Sequence, residues 1–105
     1  MVGTLLGTSI TGTLVSEPEL ITDAQVVVGT FKIQEHQGSE TKSYEVYAYG
    51  AIARECFKAL SSGQTVTVEG RLIKRLHEIE KDRAGVTNAI IANRVWLNHL
   101  RLLVA

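Results

Sequence analysis

Between Gly50 and Gly63 the hydrophobic period of this chain changes from two to about 3.6 and back again, and that change limits what the chain can fold into. Before it, Ser43 to Tyr49 alternates. Tyr44, Val46 and Ala48 fall on one face, while Ser43, Glu45, Tyr47 and Tyr49, the more polar set, fall on the face predicted to point outward. After it, Gln64 to Leu76 alternates again, with Val66, Val68, Gly70 and Leu72 opposite Thr65, Thr67, Glu69, Arg71 and Ile73. Between the two, Ile52, Ala53, Cys56, Phe57 and Leu60 recur at helical spacing, and Ser61-Ser62-Gly63 supplies a stop. One helix of about ten residues is thus set into a strand-rich chain.

The flanks add three more strands. Thr8 to Val15 carries Ile10, Gly12 and Leu14 on one parity, and Glu17-Pro18-Glu19 interrupts it because proline cannot donate to a ladder. Ala24 to Gln34 is rich in valine, with Phe31 and Ile33 opposite Thr30, Lys32 and Gln34; Gly29 within it marks a bulge or bend of the kind a closed barrel needs. The polar Glu35 to Lys42 stretch, containing Gly38, is expected to be a hairpin loop. After a charged tip at Glu78 to Gly85, Val86 to Leu97 is the fifth strand, apolar on both faces as a barrel-closing or partner-facing strand would be. The His99 to Ala105 tail is short and apolar, suited to a last turn on the barrel or a subunit contact.

With 105 residues, the chain is expected to be one domain, residues 1–105, too small for a multi-domain enzyme. Its 45% hydrophobic and 21% charged composition is that of a soluble globular protein, with no run able to span a bilayer and no export signal, so the cytoplasm is the default. The lone Cys56 excludes an internal disulfide and is expected to be a buried filler. His36, His77 and His99 lack metal-ligand spacing and suggest no triad; no nucleophile-base pair or phosphate-cradling glycine loop is present, so neither a cofactor nor an enzymatic activity is expected. Formal net charge is zero, but it is unevenly spread. The first fifty residues set Lys32 and Lys42 against six carboxylates, whereas in residues 71–83 Arg71, Lys74, Arg75, Lys81 and Arg83 outnumber Glu78, Glu80 and Asp82. One hairpin can therefore carry a modest positive field, although a solvated mixed-charge tip explains the same residues.

Three strands, a helix and two strands is the element order of the oligonucleotide/oligosaccharide-binding (OB) barrel: all-β, five strands in a Greek key, with one short helix between the third and fourth. Ile10-Thr-Gly-Thr-Leu14, Glu17-Pro-Glu-Leu20, Tyr49-Gly50 leading into the helix, and Gly63-Gln-Thr-Val-Thr-Val-Glu-Gly-Arg-Leu72 together resemble the bacterial single-stranded DNA-binding protein family, to which primosomal replication protein N is related. The resemblance covers residues 8 to about 97 and is most specific from Tyr49 to Leu72. It implies a non-enzymatic, nucleoid-associated protein that binds single-stranded DNA in replication, recombination or repair. It also implies a homo-oligomer, a tetramer ahead of a dimer, with other replication proteins as further partners and no membrane.

On that resemblance Tyr49 matches a position where an aromatic ring stacks on DNA, and Tyr47, two residues earlier on the same face, extends the platform. Both rings could instead serve cross-strand packing. Arg71, Lys74 and Arg75 fall where the family contacts phosphates; Lys32 adds a charge on the outward parity, and Lys42 and Arg54 lie further off. Phe31 and Phe57 are expected in the core, and Trp96 under an oligomer interface or within the barrel. The chain departs from the family where tryptophans are common, carrying Ser43, His36 to Ser39 and the His77 neighbourhood there, and Glu45 stands where a basic residue is usual. No acidic tail follows residue 97; in the family that tail recruits other replication proteins, so a trimmed domain, a paralogue and a partner-dependent form remain open. A structural or protein-interaction barrel that has lost most DNA contacts is the competing reading.

Overall fold

The computed structural model describes residues 7–80, 83–97 and 101–103, with the backbone alone described at Asp23, residues 75–80 and 83–87, and Arg101. The elements in chain order are β1 (Thr8–Leu14), β2 (Glu19–Asp23), β3 (Val26–Gln37), β4 (Glu40–Tyr49), α1 (Ala51–Ala59), β5 (Thr65–Glu80), β6 (Arg83–Leu97) and β7 (Arg101–Leu103). Strands β1, β5, β6, β4 and β3 follow one another around a sheet, and β1 returns to pair with β3, closing a five-stranded barrel. Among the described residues only β4 and β6 run parallel, as the Greek key requires, and α1 lies between the third and fourth barrel strands. The OB architecture inferred from element order is the one observed. Two strands lie outside the barrel path: β2 pairs with β3, and β7 pairs with β6.

Closure depends on close backbone approach at Gly12. A Cβ there would lie 2.5 Å from the Gln34 carbonyl oxygen, so only glycine lets β1 leave β5 and cross onto β3. The inward parity of each strand fills the interior with Leu14, Phe31, Ile33, Tyr44, Val46, Val66, Val68, Ile90 and Val95. Burial of each large side chain contributes about 1.5 to 3 kcal/mol. Helix α1 begins after Gly50, whose φ is +66°, and packs Ala53 against Gly29, Cys56 into the core, and Leu60 just past its end. Gly29 is therefore a helix-packing site in the middle of β3 rather than a bulge.

Four expectations change. Glu19 to Asp23, past the break at Pro18, is a strand, joined to β3 by a two-residue turn in which Ala24 and Gln25 both have positive φ. This turn removes Ala24 from the strand predicted to start there. Glu35 to Lys42 is mostly ladder; β3 and β4 run on to Gln37 and Glu40, and Gly38-Ser39 makes the turn. Strand β6 accommodates one extra residue, Asn93, between the Gly70↔Ala92 and Glu69↔Arg94 pairs, so its alternation shifts there and Ile90, Ala92 and Val95 all turn inward. Phe57 is 49% exposed, against the core position expected for it. The buried stripe of α1 runs through Ala59, Ile52, Cys56, Leu60 and Ala53, and Phe57 lies beyond its edge.

Candidate nucleic-acid interface

The outward parity of β3 and β4 forms the most differentiated face of the barrel. Inward residues Tyr44, Val46 and Ala48 are buried, so their neighbours Glu45, Tyr47 and Tyr49 must point out. Three cross-strand rows result. Ile21, Val28 and Tyr49 lie in register across β2, β3 and β4. Thr30, Tyr47, Ile91 and Arg71 follow across β3, β4, β6 and β5, and then Lys32, Glu45, Ala89 and Ile73 across the same four strands. The two tyrosines are about 7 Å apart along one strand, and Arg71 sits two strands from Tyr47, about 10 Å away at the backbone.

Tyr49 is 47% exposed, with Val28 beside it in its row and the half-exposed Ile21 one strand beyond, so ring and aliphatic side chains share one surface. Tyr47 is half-buried and donates its hydroxyl proton to Glu45 Oε1 at 2.9 Å. That bond links the side chains of two adjacent rows. Two clefts flank this point. One of about 430 Å³ is lined by Lys32, Thr41, Lys42, Ser43, Glu45 and Asn88; the other, of about 170 Å³, by Ser16, Glu19, Thr30, Lys32, Glu45 and Tyr47. Lys32 and Glu45 belong to both and form the saddle between them. Beneath the larger cleft, Tyr44 donates to Glu35 at 3.2 Å; burial, with that bond and the nearby carboxylate adding to it, pushes its phenol above the usual range.

The basic residues separate. Lys32 and Arg71 are exposed on the same outer face as the tyrosines, and the Ser16 hydroxyl accepts from the Lys32 amide at 3.0 Å, tying the chain after β1 beside it. Arg75 shares the β5 parity of Arg71, but its side chain and the charged tip at residues 75–87, including His77, lie outside the described side chains. Lys74 is exposed on the opposite parity with Leu72, so period two divides the Arg71, Lys74, Arg75 cluster between two faces of the β5–β6 hairpin. Glu69, two residues before Arg71, faces Arg94 at 3.7 Å, an exposed pair of small energetic weight.

Trp96 lies in register with Thr67 and Leu102, half-buried on the outer side of β6 rather than in the barrel interior. Thr41 and Asn88, which line the larger cleft, and Ile21 and Val28, in the row of Tyr49, lie on this face without having been singled out from the sequence. Asn88 comes from a different strand, which the two-residue period of β4 cannot reach. Among the described residues no group of three or more His, Cys, Asp or Glu could hold a metal ion, and no helix is long and apolar enough to cross a membrane.

No protein-family model matches the chain, and no curated protein matches it significantly. Among solved structures it is similar to the crystal structure of the small single-stranded DNA-binding protein from Streptomyces coelicolor, with a TM-score of 0.81 and 17% sequence identity over 91% of this chain and 96% of that one. At that identity the likeness is one of fold, and it extends over nearly the whole barrel.

Proposed function

We propose that this chain binds single-stranded DNA without catalysing a reaction on it, and serves replication, recombination or repair as a homo-oligomer, a tetramer ahead of a dimer. The observation that carries this reading is the placement of Tyr47 and Tyr49 on the outer face of an OB barrel, with Arg71 in the row of Tyr47 and Lys32 in the next row. An unpaired base exposes a π-face that either ring can cover whatever the sequence, worth about 1 to 3 kcal/mol per stacked base. Lys32 and Arg71, joined by Arg75 on the same strand parity, would track the phosphates, and Lys74 would reach them only where the strand wraps the hairpin edge. The similar Streptomyces protein, described as a single-stranded DNA-binding protein, supports the assignment.

A second reading, a structural or protein-interaction barrel, is favoured by Glu45, whose carboxylate stands in the middle of the face. Anisotropy of a labelled oligo-dT, titrated at low and moderate salt, separates the two. Three phosphate contacts predict a log-log salt slope of about −2 per bound subunit. Saturable binding with that dependence supports the DNA-binding reading, and absence of binding at low salt, with the oligomer intact by light scattering, sinks it.

A further inference from the structure

We propose that the Tyr49 end of this face is selective for pyrimidines that carry a 5-methyl group, thymine over uracil and 5-methylcytosine over cytosine, and that Val28 and Ile21 are the residues that read the methyl. The inference rests on the single-strand-binding reading above and concerns which bases the site prefers.

The row that holds Tyr49 differs from the two beside it. Val28 and Ile21 follow Tyr49 in register across β3 and β2, and the burial of Val27, Gly29 and Ala48 on the other parity leaves the three of them outward. Ile21 is half exposed, Val28 is half-buried, and the exposed Val26 continues the same parity of β3. The next row sets Tyr47 between Thr30 and Ile91 with Arg71 beyond, and the one after it sets Glu45 beside Lys32. In register with Tyr49, by contrast, stand two hydrocarbon side chains that offer a base neither a donor nor an acceptor.

A pyrimidine stacked on Tyr49 lies close to Val28, since side chains directly opposite one another on antiparallel strands have Cβ atoms about 5 Å apart. Turning O2, N3 or the group at C4 onto the aliphatic pair would strip that atom of water without a replacement hydrogen bond. The C5–C6 edge has no such bond to lose, so it is the edge that faces Val28 and Ile21 while the polar edge stays in water. Thymine and 5-methylcytosine place a methyl group there, and uracil and cytosine place a hydrogen. Each pair differs by that methyl alone, whereas the two pairs differ from one another at N3 and C4. A preference common to both therefore reports the methyl contact and not a hydrogen bond. Full burial of one methyl corresponds to about fourfold in affinity, and about threefold is expected on a face as open as this one.

Oligo-dT against oligo-dU, and oligo-5-methyl-dC against oligo-dC, all of one length and titrated with the full chain at mildly alkaline pH where cytosine is unprotonated, test the proposal. The methylated oligomer should bind about threefold more tightly in both pairs. Ile21→Thr combined with Val28→Thr, which keeps the β-branching that strands favour and gives the row hydroxyls, should bring both ratios close to one, chiefly by weakening the methylated oligomers. Ile21→Thr alone, on the exposed outer strand, should lower both ratios part of the way and serves if the double variant does not fold. A ratio of one or below in either pair, or a preference that survives undiminished in the variants and so belongs to stacking on the rings, overturns the inference while leaving the single-strand reading in place. Failure of all four oligomers to bind overturns the two together.

Discussion

Gly12→Ala should weaken the barrel at the place where it closes. The Gly12 backbone has no positive φ, so alanine carries no conformational penalty, and the cost comes from contact alone. The new Cβ would meet the Gln34 carbonyl oxygen at 2.5 Å and its carbon at 3.0 Å, both backbone atoms that cannot rotate away. Separating β1 from β3 enough to relieve this costs about 1 to 3 kcal/mol as overpacking. It also strains the neighbouring closing contacts, the Thr13↔Gln34 and Leu14↔Ile33 pairs and the Val15 amide bond to the Lys32 carbonyl at 2.9 Å. Losing one such bond adds about 1 kcal/mol, and the reduced freedom of alanine in the unfolded chain returns about 0.4 to 1 kcal/mol. The net expectation is a loss of about 1 to 3.5 kcal/mol, a sizeable part of the roughly 5 to 15 kcal/mol that holds a typical domain. Urea denaturation followed by circular dichroism at fixed protein concentration measures it, with Gly7→Ala, whose Cβ would sit 4.0 Å from the Gly70 carbonyl oxygen, as the neutral control. A Gly12→Ala midpoint equal to that of the unaltered chain would refute closure of β1 on β3 through this contact.

Burial, with a smaller contribution from Glu55, pushes the Cys56 thiol up to about 12 from 9.0. The folded chain then holds a proton that the unfolded chain releases, so this stability is complete below pH 9 and declines as pH rises towards 12. Cys56→Val should flatten that decline in urea midpoints measured on either side of pH 9, and an unchanged slope would assign it to other groups. Phe31→Ala, at a core position, should cost about 3 to 5 kcal/mol in the same denaturation assay, whereas Phe57→Ala, at the exposed edge of α1, should cost under about 1 kcal/mol. Similar losses for the two would return Phe57 to the core.

Much of the platform was legible because strands impose a period of two. The division of β4 into buried Tyr44, Val46 and Ala48 and outward Glu45, Tyr47 and Tyr49 needs only that rule, and the helix between Gly50 and Gly63 is where the rule stops applying. What was missed has specific causes. Pro18 broke the pattern ahead of β2, and Ala24-Gln25 takes positive φ without the glycine or asparagine that announces such turns. Asn93 is an inserted residue in β6, and no alternation count anticipates a bulge. The spacing of Ala53, Cys56, Phe57 and Leu60 indicates a buried stripe but not where its edge falls, which is why Phe57 was misplaced. Arg71, Lys74 and Arg75 form a cluster in one dimension, and the strand they occupy separates Lys74 from the other two. The Tyr47 to Glu45 bond spans two residues on one face of a strand and was open to inference from spacing; the saddle it forms with Lys32 depends on how β3 and β4 pair.

The proposed function places the single strand on the outer face of β3 and β4 rather than on another exposed aromatic surface. Tyr49 and Phe57 offer a matched comparison, since 47% and 49% of their surfaces are exposed and they lie on different elements. Oligo-dT affinity should fall about tenfold in Tyr49→Ala, the loss of one moderate stacking contact, and stay within error of the unaltered chain in Phe57→Ala. Unchanged affinity in Tyr49→Ala together with a loss in Phe57→Ala would contradict the claim and move the binding surface to α1.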